Sequence, residues 1–158
     1  MVAVKALAAL AFWVALCLVA GFIGSLFTAP AIPAWYRGLH RPAWGPPNWV
    51  FAPVWTVLYV TMGVAAWLVW RRAAPGAPVA LAFFGVQLAL NVAWSALFFG
   101  LHSPGAALVD IVLLWLAILA TVVAFWRISP AAGLLLLPYL GWVSFATSLN
   151  YVIWRMNP

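Results

Sequence analysis

Five long runs of apolar residues, separated by short polar or proline-broken intervals, set the pattern of this chain. They lie at about residues 6–27, 48–70, 79–101, 106–126 and 131–155. A helix of roughly 20 residues, rising ~1.5 Å per residue, crosses the ~30 Å hydrocarbon core of a bilayer. The pattern therefore predicts an all-α fold, an integral, multi-pass membrane bundle of five transmembrane helices in one domain over residues 1–158. The intervals between segments three, four and five are so short that these helices are expected to be antiparallel neighbours.

Local signals sharpen the boundaries. Pro30 and Pro33 are expected to stop the first helix, and Trp35–Leu39 to form a short interfacial helix. Asn48 is placed to cap the second helix, and Pro53 falls in its first turns, where a missing N–H is tolerated. Ala73–Pro78 reads as a linker, His102–Gly105 as a tight turn, and Ser129-Pro130 as the start of the last helix. The first run follows Lys5 and precedes Ala29-Pro30-Ala31, which imitates a signal peptide. It is longer than the ~7–15 residues of a signal core and is read as a retained helix.

Segment three carries two stripes. Gln87, Asn91 and Ser95 are spaced i, i+4, i+8 and share one helix face. Gly85, Ala89 and Ala93 have the same spacing, offset by about 200°. Amide and hydroxyl groups do not face lipid cheaply, so the polar stripe turns inward. There it either joins helices or meets a ligand. The small-residue stripe points away and suits close approach of a partner, predicting a homodimer. In segment five, Trp142, Phe145, Ala146, Leu149 and Asn150 fall on one face, with Pro138 at its start.

Composition agrees with lipid as the solvent. Of 158 residues, 69% are hydrophobic and 5% charged, and such a chain cannot cover a water-facing surface. The net charge of +6 does not form a nucleic-acid footprint, because Lys5 and the six arginines lie between the apolar runs. Lys5, Arg71, Arg72 and Arg127 fall on the N-terminal face, and Arg37, Arg41 and Arg155 on the other. Basic residues favour the inner side, so the N-terminus is expected in the cytoplasm. Asp110 is the sole acid, inside segment four. An ionisable group there is a functional candidate, the alternative being structural support from nearby donors. Cys17 is the one cysteine, so no intrachain disulfide is available. No metal motif, phosphate loop or nucleophile elbow occurs, and His40 and His102 lie in separate loops without a neighbouring acid.

The interval Trp35–Tyr59 stands apart. It holds Trp35, Trp44, Trp49 and Trp55 together with Arg37, Arg41 and His40. So many rings suit a lid or the wall of a ligand site. Its pattern W-Y-x-x-L-x-R-P-x-W-x-P-P-x-W-V-F-x-P-V-W-T-x-L-Y resembles the signature of the translocator protein family. These are also called the tryptophan-rich sensory proteins, TspO/MBR, or peripheral-type benzodiazepine receptors. Gln87–Ser95, Val109-Asp110 and Pro138–Trp142 running on to Leu149-Asn150-Tyr151 agree with it, so the resemblance spans nearly the whole chain.

The resemblance implies a bacterial member in a cell membrane, binding porphyrins (protoporphyrin IX or haem-related) and also sterols in a tryptophan-lined cavity, with no required cofactor. It nominates Trp35, Tyr36, Trp44, Trp49, Trp55, Trp142, Ala146, Leu149 and Asn150 as contacts, and favours that role for Gln87, Asn91 and Ser95; Asp110 is a further ligand-binding candidate, with structural support ranked ahead of catalysis for it. Trp55 and Trp142 match the tryptophans implicated in light-driven porphyrin breakdown by some bacterial relatives. Three roles follow: a receptor or sensor, a light-dependent degrading enzyme, or a tetrapyrrole or sterol transporter. Leu149, Tyr151 and Arg155 fit a weak sterol-contact pattern that an aromatic belt with a snorkelling arginine also produces.

Overall fold

The computed structural model describes residues 1–158 and contains no strand. Five helices, α1 Val2–Ala31, α2 Phe51–Arg72, α3 Ala77–Ser95, α4 Pro104–Ile128 and α5 Pro130–Met156, carry the fold. All five are long and apolar enough to cross a membrane. Single 3-10 turns at Tyr36–Gly38 and Asn48–Val50 punctuate the interval between α1 and α2. A π turn, Ala96–Gly100, extends α3.

Several ends differ from the expected ones, each for a local reason. Pro30 lies inside α1 rather than after it; the last bond of the helix runs from the Ile32 N–H to the Thr28 carbonyl at 3.1 Å. One proline removes a single donor, and the helix yields only where Pro33 removes a second within the same turn. Asn48 makes no side-chain cap; a 3-10 turn leads into α2, and the Asn48 Oδ1 accepts from Arg41 Nη1 at 3.4 Å. Pro78, Pro104 and Pro130 all sit in the first turns of their helices, where the missing N–H would have had no partner. Helices α3 and α4 therefore begin two residues earlier than the apolar runs suggest. Ser103 caps α4 by accepting the Ala106 N–H at 3.4 Å.

Helix α1 packs on α2 and α3, α4 on α3 and α5, and α2 on α5. The ring closes in the order α1–α2–α5–α4–α3, with α2 also reaching α3 and α4. Lipid tails are as apolar as leucine, so close backbone approach must hold such a ring together. Gly63 provides it: a Cβ there would stand 2.5 Å from Val14 Cα. At the same end of the molecule the Trp67 Nε1 donates to the Ala6 carbonyl at 3.1 Å, tying α2 to α1. Met62, Ala65, Ala66 and Val69 are fully enclosed there, and Phe84 stacks on Phe125 with centroids 5.8 Å apart. Large apolar side chains such as Phe12, Phe22, Val57 and Val109 project outward, as a lipid-facing surface requires. The molecule is an integral membrane protein, densely packed in the half that carries Lys5, Arg71, Arg72 and Arg127.

Candidate functional site

The half of the ring nearer the aromatic loop is hollow. A cavity of about 450 Å³ lies among α1, α2, α3 and α5. Its floor is built by Tyr59 and Asn91. The Tyr59 hydroxyl donates to Asn91 Oδ1 at 2.6 Å, and Asn91 Nδ2 donates to the Tyr139 hydroxyl at 2.7 Å. One buried amide thus joins α2, α3 and α5. Tyr59 lies flat against α1 because Gly21 has no Cβ; one there would stand 2.5 Å from the ring.

Rings form the walls. Trp55 and Trp142 meet edge to face, centroids 6.5 Å apart at 89°. Trp55 also stacks on Tyr59 at 5.6 Å. Trp94 stacks on Phe98 at 5.0 Å, and its Nε1 donates to Asn150 Oδ1 at 2.9 Å. Asn150 Nδ2 in turn donates to the Pro104 carbonyl at 2.9 Å, binding α5 to the start of α4. The π turn inserts one extra residue where Phe98 and Phe99 both reach the wall. Such turns recur at functional sites because they rotate side chains that a regular helix would point elsewhere.

The loop closes the water-facing end. Tyr36 and Ile32 complete the wall there. Trp35 stacks on His102 at 4.5 Å, pinning the loop to the α3–α4 turn. Trp44 packs edge-on against Phe145 of α5. The side between α1 and α2 stays open. Leu18, Phe22, Ser25 and Ala29 of α1, with Ala52 and Thr56 of α2 and Asn48 of the 3-10 turn before it, line the cavity and are exposed on the outer surface as well. The two helices are tight at Gly63 and splay toward the loop.

Of the residues nominated from the sequence, Tyr36, Trp55, Asn91, Ser95, Trp142, Ala146, Leu149 and Asn150 come together around this cavity. Trp35 packs behind the wall on Phe98 and Phe99. Trp44 is exposed, and Trp49 is 74% exposed. Gln87 and Asp110 are buried, at 2% and 7% exposure, but neither lines the cavity. Gln87 Nε2 reaches only Met62 Sδ, at 3.8 Å, and its Oε1 has no partner. Asp110 Oδ2 and Trp142 Nε1 are likewise buried without partners. Gly85 and Ala89 are exposed, Ala93 half-buried, and a Cβ on Gly85 would meet nothing. Leu149 turns into the cavity while Tyr151 and Arg155 face outward, so that triplet does not share one surface. Pro138 is exposed.

Wall residues that sequence reasoning did not single out include Tyr59, Trp94, Phe98 and, on α1, Gly21, Gly24, Ser25 and Thr28. The signals existed: Tyr59 is four residues after Trp55, Trp94 three after Asn91, and the α1 set recurs at helical spacing.

Fold and site together define a five-helix membrane protein enclosing an aromatic cavity under a tryptophan-rich loop. A sequence model of the TspO/MBR family matches residues 13–155. The chain is 49% identical over 158 residues to the Tryptophan-rich protein TspO of Chlorobaculum tepidum, covering 98% of this chain and 99% of that one. It is 47% identical over 139 residues to the human Translocator protein, covering 86% and 82%. Against the Tryptophan-rich sensory protein of Cereibacter sphaeroides it is 42% identical over 123 residues, covering 78% and 77%. The chain belongs to the TspO/MBR family.

Proposed function

We propose that this protein is a membrane receptor or sensor that binds flat, largely apolar tetrapyrroles, porphyrins foremost, in the aromatic cavity. The observation that carries this reading is the wall itself. Trp55, Trp142, Trp94 and Tyr59 surround a space within the ~300–1,000 Å³ usual for small-molecule sites. Ring faces and edges suit a flat conjugated ligand. The amides of Asn91 and Asn150 are already engaged, so they fix the walls rather than demand partners. Sterols are a second apolar class of suitable shape. The setting we propose is a bacterial cell membrane, with the N-terminus in the cytoplasm and a homodimer formed through α3.

The test is titration with protoporphyrin IX in nanodiscs, read by tryptophan quenching. Saturable quenching at one ligand per chain, weakened by Trp142→Phe, is expected. Quenching that never saturates, or that is unchanged when Ala146→Trp fills the cavity, overturns the reading.

A second reading, light-dependent porphyrin breakdown, draws on the Trp55–Trp142 contact at 6.5 Å. A photoexcited porphyrin takes an electron from the adjacent indole and passes it to dioxygen; the superoxide adds to the macrocycle as the indole radical regains an electron from it, so the net step adds O2 across one ring C=C bond and opens it to two carbonyls. No acid–base residue is needed. Bleaching of the Soret band under light, faster than for free porphyrin and slowed by Trp55→Phe, is the expected result. Equal rates leave binding alone.

A further inference from the structure

Between the loop and α5 lies a second hollow, of about 390 Å³. Tyr36, Leu39, Arg41, Pro42, Pro46 and Leu149 are among its walls. Tyr36 and Leu149 also line the aromatic cavity, so the two spaces share a partition. The Arg41 guanidinium carbon stands 4.7 Å over the centre of the Tyr36 ring. Its Nη1 donates one long bond, 3.4 Å, to Asn48 Oδ1. Asn48 too lines the aromatic cavity. A single cation is therefore held by two side chains that both belong to the main site.

That cation has no counter-charge. The only acid in the chain is Asp110, which lines neither space. Guanidinium offers five N–H donors in a planar fork, and one weak bond occupies one of them. The loop backbone offers little competition as a donor, and the Tyr36 hydroxyl is the one other side-chain donor on the wall. Pro42, Pro46 and Pro47 have no N–H, the Gly45 N–H is taken by the Pro42 carbonyl at 3.0 Å, and the His40 N–H by Asn157 at 3.0 Å. Arg37, four residues earlier, lines neither space. An acceptor entering this hollow meets Arg41.

We propose that the hollow under the loop is a subsite for an anionic edge group of the ligand, a carboxylate, paired with the Arg41 guanidinium. This rests on the reading of the aromatic cavity as the site for a flat apolar ligand. It makes the ligand class narrower: a planar apolar body bearing an acid on one edge, oriented with the acid toward the loop. The same chemistry also suits the phosphate of an anionic lipid, and the experiment separates the two.

The full chain is placed in nanodiscs of zwitterionic lipid and titrated with protoporphyrin IX and, separately, with its dimethyl ester, which has the same ring and no acid. The diacid is expected to bind about ten-fold more tightly, the equivalent of one charge-assisted hydrogen bond. Arg41→Gln is expected to bring the diacid down to the ester and leave the ester unchanged, while Arg41→Lys restores part of the preference. Saturable binding of both at equal affinity overturns the subsite but leaves the cavity reading standing. Absence of saturable binding by either overturns both. An equal fall for acid and ester in Arg41→Gln means that Arg41 only braces the loop, and also overturns the proposal. Repeating the titration with phosphatidylglycerol in the disc is expected to preserve the preference; its loss there would assign the subsite to lipid phosphate instead.

Discussion

Asn157 grips the backbone of His40 from both sides. Its Oδ1 accepts the His40 N–H at 3.0 Å, and its Nδ2 donates to the His40 carbonyl at 2.9 Å. The same Nδ2 also reaches the Ile153 carbonyl at 2.8 Å, which anchors the grip to the last turn of α5. An amide paired this way does for the loop what a neighbouring strand would do.

Asn157→Ala should therefore free the loop without unfolding the bundle. Two lost hydrogen bonds at an exposed site amount to about 1–2 kcal/mol of local opening energy. Hydrogen exchange checks this: the His40 amide should exchange several-fold faster, with Asn91 and its neighbours in α3 unaffected. Asn157→Asp keeps the acceptor and loses the donor, and should fall between the two.

Two helical glycines should respond in opposite ways. Gly63→Ala drives a methyl into the backbone of Val14, which cannot move without separating α1 from α2. Overpacking of this kind costs about 1–3 kcal/mol or more. Gly85→Ala meets nothing and removes a flexible residue from a helix interior, a gain of about 0.5–1 kcal/mol in the monomer. Thermal unfolding in detergent under matched conditions should show the two shifts with opposite sign.

Ala73 ends α2 with φ of 49°, a left-handed conformation that a Cβ disfavours. Ala73→Gly should stabilise the protein by about 0.5 kcal/mol, after allowing for the greater freedom of glycine in the unfolded chain. His102 shares the conformation, with φ of 52°, but stacks on Trp35. His102→Gly should relieve the backbone and still loosen the loop, visible as faster exchange around Trp35 and no gain in melting temperature.

The α3 faces supply a test of assembly. Ala89→Leu enlarges an exposed small-residue stripe and should weaken the proposed homodimer. Gln87→Leu replaces a buried amide whose Oε1 has no partner. It should leave the dimer intact and hold or raise stability, since the lost contact to Met62 Sδ is weak. Cross-linking in bilayers reads both. A dimer that survives Ala89→Leu and dissociates with Gln87→Leu assigns the two faces the other way.

The five helices were legible because water exclusion is a property of sequence alone. Their rotation was not, and the reason is physical. A water-soluble helix marks its inner face by being oily there, whereas α1 is oily on every side. Only its small and polar positions, Cys17, Ala20, Gly21, Gly24 and Thr28, show which side turns in. Where polarity marked the inner face, as at Gln87 and Asn91, the orientation was readable. Depth along the helix was a separate question: Gln87 lies in the packed half and Asn91 on the cavity floor, one turn apart. In the loop, spacing carries no such rule. Tyr36 enters the wall while Trp35, beside it, packs behind it, because a single 3-10 turn sends consecutive side chains in different directions. The π turn left no mark that helical periodicity would reveal.

The splay between α1 and α2 changes the currency of recognition. An enclosed pocket in a soluble protein rewards any greasy molecule, because the alternative is water. Here Phe22, Ala29, Ala52 and Thr56 open the cavity onto acyl chains, and a ligand leaving lipid for protein exchanges one oil for another. Oiliness then confers no advantage over the thousands of lipid tails competing for the same space. On the proposed reading, what distinguishes a ligand from a lipid is flatness against rigid rings, and Trp55, Trp94 and Trp142 supply those rings in the cavity wall.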